Sequence, residues 1–129
     1  MNEKKKILVI DDEPDVVRYL TLVLRDNGFE SISATNAGSA LEKLASFQPD
    51  LICLDIMMPK HSGIWLYLEL KASKEFAHMP VIIISGIKTE NEFNFREMIP
   101  DESIPPPSAF IEKPLNVDQF IALVRRIIG

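Results

Sequence analysis

The sequence predicts an α/β domain, a parallel sheet with helices on both faces, and two observations carry that prediction. Short apolar runs rich in branched residues alternate along the chain with stretches of helical character, the order that builds a sheet from successive strand–helix units. Most of those runs are apolar at consecutive positions, not at every second one, so their strands should be buried on both faces. The length of 129 residues suits one domain with one core. Right-handed crossovers then leave few topologies open.

Taken in order, Lys6–Ile10 is the first strand. Glu13-Pro14 opens a helix, with proline at a first-turn position where its missing N–H costs nothing, and Gly28 stops that helix after Asn27. Phe29–Ala34 is the second strand, and Asn36 caps a helix over Ala37–Ser46. Gln48-Pro49 breaks the chain before a third strand, Asp50–Asp55. The loop Met57–Ser62 contains Pro59, and Gly63 opens a third helix that ends near Ser73. Pro80 precedes the fourth strand, Val81–Ser85; Phe110–Glu112 is the fifth, and Asn116 caps a last helix reaching Ile128. Between the last two strands, Glu90–Met98 can form a helix that Pro100 ends, and Pro105-Pro106-Pro107 enforces an extended stretch. That stretch reads first as a stiff connector and second as a recognition surface.

Composition excludes several function classes. A net charge of −5 argues against nonspecific binding of nucleic acid. One cysteine, Cys53, excludes an internal disulfide and a cysteine-based zinc site, and its apolar run marks it as a small buried hydrophobe. No apolar run approaches the length needed to span a membrane, so a cytoplasmic protein is expected. His61 and His78 fall in predicted loops without a second ligand at metal spacing and read as surface residues.

Chemistry-bearing residues gather at the ends of predicted strands. Asp11-Asp12 follows the first strand, Asp55 ends the third, and Lys113 follows the fifth. Ligands of open parallel sheets bind at the carboxyl ends of strands, where the strand order reverses. Carboxylates crowded there need a cation or a proton among them. Lys113 supplies one positive charge and a divalent metal is the natural second, which makes a site for phosphoryl chemistry. Each aspartate taken singly could be a turn or cap residue.

Five pieces in order, ILVIDDEP at Ile7–Pro14, LICLDIMMP at Leu51–Pro59, HSG at His61–Gly63, VIIISG at Val81–Gly86 and FIEKP at Phe110–Pro114, resemble the response-regulator receiver domain of two-component signalling. The resemblance covers nearly the whole chain. It implies a doubly wound, five-stranded CheY-like (flavodoxin-like) sheet of order 2-1-3-4-5. It also implies a single receiver domain over residues 1–129, without an output domain.

Position by position, the resemblance makes Asp55 the phosphoacceptor. It gives Mg²⁺ to Asp11, Asp12, Asp55 and the backbone carbonyl of Met57, with Asp12 a direct ligand and Asp11 sharing the metal or one of its waters. It assigns Lys113 and Ser85 to the phosphoryl oxygens, and Ser85 with Phe110 to the conformational switch. Glu13 reads as a first-turn charge favoured by the helix dipole. The implied partners are a sensor histidine kinase or histidine phosphotransfer protein and a downstream output protein or domain, with no direct nucleic-acid contact and no membrane insertion. A phosphorylation-dependent dimer is also within what the resemblance implies. Catalysis would be limited to the domain's own Mg²⁺-dependent phosphorylation and hydrolysis, and the protein would be a signalling switch first.

The first helix carries a wide apolar arc in which Val17, Leu20 and Leu24 face the sheet and Val16, Tyr19 and Val23 extend the stripe. In the family this region docks the kinase's helical phosphotransfer domain. On the third helix the pairs Trp65–Leu68 and Leu66–Leu70 cannot both be fully buried. The segment Ile87–Ser108 departs from the family pattern and leaves the output face open. Two other readings stand beside this one: a metal-dependent phosphohydrolase with an aspartate nucleophile, and a receiver that has lost its chemistry and serves only as an interaction module.

Overall fold

The computed structural model describes residues 4–56, 63–86, 96 and 99–129. Five strands, β1 (Lys6–Ile10), β2 (Glu30–Ala34), β3 (Leu51–Leu54), β4 (Val81–Ser85) and β5 (Ala109–Glu112), pair in parallel in the order β2-β1-β3-β4-β5. The helices among the described residues are α1 (Pro14–Asp26), α2 (Ala37–Phe47), α3 (Gly63–Ala72) and α4 (Val117–Ile128). The predicted α/β class and strand order are those observed. The loop Met57–Ser62 and, apart from Arg96, the helix predicted over Glu90–Met98 lie outside the described residues.

The sheet's two faces explain the unbroken apolar runs. Leu8, Ile10, Ile52, Leu54, Val81 and Ile83 point into a core closed by α2 and α3. Ile7, Val9, Leu51, Cys53, Ile82 and Ile84 point the other way, into a core closed by α1 and α4. The predicted inner residues of α1, Val17, Leu20 and Leu24, are buried. On α3 the Leu66–Leu70 pair is buried, while Trp65 is exposed and Leu68 half-buried.

Helix ends follow their capping chemistry. The Asn36 and Asn116 side chains accept from the backbone N–H groups of Ser39 and Gln119, satisfying first-turn donors of α2 and α4. Pro14 starts α1. Beyond its end Gly28 takes φ +91°, a conformation glycine adopts without steric cost. Phe29 N–H donates back to the Leu24 carbonyl, so β2 begins one residue later than the sequence predicts.

β2 is an edge strand whose outward carbonyls are covered. Arg25 on α1 donates from Nε (3.1 Å) and Nη2 (2.7 Å) to the Ser31 carbonyl, and Lys43 on α2 donates to the Ser33 carbonyl. Cations from two helices thus close the side of the strand that β1 leaves open.

Candidate functional site

Parallel pairing carries the loops after β1, β3, β4 and β5 to one end of the sheet. Asp11 N–H donates to the Ala34 carbonyl at the end of β2 (3.1 Å), and Asp55 N–H to the Ile10 carbonyl at the end of β1 (2.9 Å). These bonds set Asp11 and Asp55 side by side at the switch point, where the crossovers leaving β1 and β3 run in opposite directions. Lys113 N–H donates to the Ser85 carbonyl (2.8 Å), bringing the end of β5 against that of β4. The Lys113–Pro114 peptide is cis.

The side chains converge on Lys113. Its Nζ lies 2.8 Å from Asp11 Oδ2, 3.6 Å from Asp55 Oδ2 and 3.4 Å from Glu13 Oε1. Asp11 and Asp55 are buried at 2% and 4% exposure, so their charges face little water. Asp11 Oδ1 also accepts from the Glu13 N–H at 3.0 Å. Burial pulls the Lys113 ammonium toward deprotonation, but the hydrogen bond to Asp11 and the charges of Asp55, Asp11 and Glu13 outweigh it, and its pKa rises above the ordinary lysine value.

Asp11, Asp12, Glu13 and Asp55 each offer a carboxylate oxygen, all within 4.8 Å of one another. Opposite ligands of a Mg²⁺ ion stand about 4 Å apart, and the ion prefers oxygen donors. An all-carboxylate set of this span, with one ammonium for four acids, suits a small hard cation. Ser85 is buried at the end of β4. Phe110 is half-buried against the α2–α3 core and pairs with Ile83, two residues before Ser85.

Asp11, Asp55 and Lys113 are therefore in contact range, Asp12 joins the acidic group, and Ser85 and Phe110 lie on the adjoining strands. Met57 and His61 lie outside the described residues; His78 is exposed. Two residues do more than their sequence positions revealed. Glu13 is the α1 N-cap residue, yet its carboxylate turns to Lys113 and makes no cap bond. Gly63 packs α3 directly on the end of β3: a Cβ there would stand 2.2 Å from the Asp55 carbonyl oxygen and 2.4 Å from Ile56 Cα. The Gly in HSG was a visible signal; the reason for it was not.

A doubly wound 2-1-3-4-5 sheet with acids gathered at its switch point defines the class. The family model described as response regulator receiver domain matches residues 7–125, and the chain belongs to that family. It is 27% identical over 125 residues to the polar-differentiation response regulator DivK of Brucella anthropi, covering 97% of both chains. It is 43% identical over 82 residues to the alkaline phosphatase synthesis transcriptional regulatory protein PhoP of Bacillus subtilis, which is 64% of this chain and 33% of that protein. Among solved structures it is similar to the Vibrio cholerae chemotaxis protein CheY4, with TM-score 0.82, 19% identity and coverage of 97% and 99% of the two chains. A sensor protein from Polaromonas sp. JS666 superposes with TM-score 0.81 at 26% identity, covering 98% of this chain and 97% of that one. Among the described residues no helix is long and apolar enough to cross a membrane.

Proposed function

We propose that this receiver domain accepts a phosphoryl group on Asp55, with Mg²⁺, from the phosphohistidine of a sensor kinase or phosphotransfer protein, and switches conformation to control an output partner. The observation that carries the reading is the Lys113 ammonium held between Asp11 and Asp55 inside a group of four acids. Asp11, Asp12 and Asp55, with the Met57 backbone carbonyl, would hold the metal. When bound, Mg²⁺ supplies the positive charge that lets carboxylates and phosphoryl oxygens share the pocket.

The chain's own groups do the rest. An Asp55 carboxylate oxygen bonds to phosphorus as the donor's P–N bond breaks, and that bond's electron pair returns to the imidazole. Lys113 Nζ, already 3.6 Å from Asp55, pairs with one phosphoryl oxygen and the Ser85 hydroxyl with another. As Ser85 moves to the phosphoryl group, Phe110 turns into the space it leaves, so phosphate biases a two-state equilibrium.

Two surfaces support the partner assignments. A groove of about 550 Å³ beside Lys113 is lined by Val16, Tyr19 and Leu20 of α1 with Pro114 and Leu115. It offers an apolar seat next to the pocket for a helical histidine-bearing donor. A cleft of about 650 Å³ opens between β5 and α4 over Phe110, Leu115 and Leu123, where an output partner would sense the switch. A cytoplasmic location goes with this reading.

Incubation with acetyl phosphate and Mg²⁺ should add one phosphoryl group by intact mass, and Asp55→Asn should abolish the gain. No gain with any phosphodonor overturns the proposal. Turnover of small phosphoesters would favour a hydrolase instead.

A further inference from the structure

The segment before β5 is tied to the core in a way that a connector does not require. Ile99 and Pro107 are buried, and Ile104 packs half-buried on the α2–α3 core. Ser108 N–H donates to the Val81 carbonyl (2.8 Å), fixing the segment's end to β4. Its middle is folded on Asp101: Ser103 donates from its backbone N–H (2.9 Å) and hydroxyl (2.7 Å) to Asp101 Oδ1, and Arg96 Nη1 donates to the Asp101 carbonyl (2.7 Å). Four of residues 99–108 are prolines, which have no N–H to donate. Apart from the Ser108 N–H, attachment therefore rests on carbonyl acceptors and apolar side chains.

One such attachment reaches α3. Tyr67 Oη donates to the Pro105 carbonyl at 2.5 Å. The Tyr67 ring is fully buried. Burial pushes the hydroxyl pKa up to about 12, against the opposing charge of Arg96, so the group remains a donor at any working pH. Tyr67 lies four residues after Gly63, on the same helix face. Gly63 in turn bears on the backbone of Asp55 and Ile56, with its N–H donating to the Ile56 carbonyl (3.1 Å). A single rigid helix thus touches the phosphoacceptor's backbone with its first residue and the proline-rich segment one turn later.

The geometry points to residues 99–108 as a responsive arm: α3 acts as a lever between the Asp55 end of β3 and the arm, and the Tyr67–Pro105 hydrogen bond is the latch. The inference rests on the phosphoacceptor reading of Asp55. Loading of the site shifts the β3–α3 junction, α3 moves with it because Gly63 leaves no slack, and the latch loosens. Ile104 and Pro107 then leave the core and present a new apolar surface to the output partner. Response would not run through Phe110 alone.

Hydrogen exchange read by mass spectrometry on the full chain tests this. The amides of Asp101, Glu102, Ser103, Ile104 and Ser108 report on the arm. Beryllium trifluoride with Mg²⁺, a phosphoryl mimic, should speed their exchange about five- to tenfold, the size expected for losing one hydrogen bond. Tyr67→Phe, which removes one oxygen and keeps the ring in the core, should exchange fast without loading and gain little from it. Ile104→Ala, which loosens the arm from its own side, should do the same with α3 intact. Acetyl phosphate and intact mass establish loading separately. Phosphoryl gain with unchanged exchange in the arm, or a Tyr67→Phe response equal to the parent's, overturns the arm and leaves the phosphoacceptor standing. No phosphoryl gain overturns both.

Discussion

The Lys113 ammonium stands closer to Asp11 than to Asp55, 2.8 Å against 3.6 Å. Without metal, Lys113 is the counter-ion to the acids around Asp11. A cation taking over Asp11 would free Lys113 to turn to Asp55. Replacing it leaves the acids to repel one another, so Lys113→Ala should destabilise the metal-free protein. The expected loss is about 1–2 kcal/mol, reduced from the cost of breaking a fully buried pair because the ammonium is partly solvated. Mg²⁺ should restore most of that loss, and phosphorylation by acetyl phosphate should fall about a hundredfold. Urea unfolding with and without Mg²⁺ checks the first effect, and intact-mass kinetics the second.

The same charge crowding predicts the opposite sign at the acids. Asp55→Asn removes one of the repelling charges from a site with four acids to one ammonium. The metal-free variant should be more stable than the parent by about 1 kcal/mol, the usual sign when a strained functional group is neutralised. It should gain no phosphoryl group. A lower melting temperature for Asp55→Asn would mean that Asp55 is held by attraction and not by its fold.

Lys113 also sets a pH window. Its pKa is raised in the folded protein, so its contribution to stability is fully present below the ordinary lysine value of 10.5 and fades only as pH climbs through the higher folded value. Stability of the parent relative to Lys113→Ala should therefore be flat from neutrality to pH 10.5 and converge above it. Paired urea titrations across that range would reveal an earlier convergence.

Gly63 is a second sensitive point. An added Cβ would meet three backbone atoms, Asp55 O at 2.2 Å, Ile56 Cα at 2.4 Å and Asp55 C at 2.8 Å, and backbone cannot swing aside as a side-chain tip can. Gly63→Ala should cost about 2–4 kcal/mol, since α3 must move off β3. Gly28→Ala is the control: there a Cβ meets nothing within 4 Å, and the cost is the strain of φ +91° alone, about 1 kcal/mol. Urea midpoints for both variants separate a clash from a conformational penalty.

What was legible in the sequence was mostly local or periodic. The runs at Ile7–Ile10, Leu51–Leu54 and Val81–Ile84 are apolar on both faces and mark the strands; Asn36, Asn116 and Gly28 mark helix ends. The carboxyl ends of the first, third and fifth strands located Asp11, Asp55 and Lys113. Contacts between distant residues were not legible. The Glu13 side chain sits 100 residues from Lys113 in the chain, and nothing near it distinguished an ion-pair partner from a first-turn charge. The Tyr67–Pro105 bond spans 38 residues and joins a helix whose apolar pairs gave no sign of it to a segment that reads first as a stiff connector. Strand edges shifted by a residue where a neighbour claimed the backbone group, as Leu24 does with the Phe29 N–H.

The covered edge of β2 supports the last prediction. Ser31 and Ser33 present their carbonyls outward, and these accept from Arg25 and Lys43. An unprotected edge of this kind is a template for a second copy's strand. Arg25→Ala with Lys43→Ala removes both cations and the long side chains that shield the strand. Each single change leaves one carbonyl covered, and a partner strand needs consecutive backbone partners to hold register. The double variant should therefore self-associate in sedimentation velocity at concentrations where the parent and both single variants keep the parent's sedimentation coefficient. Since neither side chain touches the acidic group, its phosphorylation by acetyl phosphate should stay within about twofold of the parent's, as expected for well-separated sites. A double variant that sediments like the parent would mean that α1 and α2 shield the edge by bulk alone.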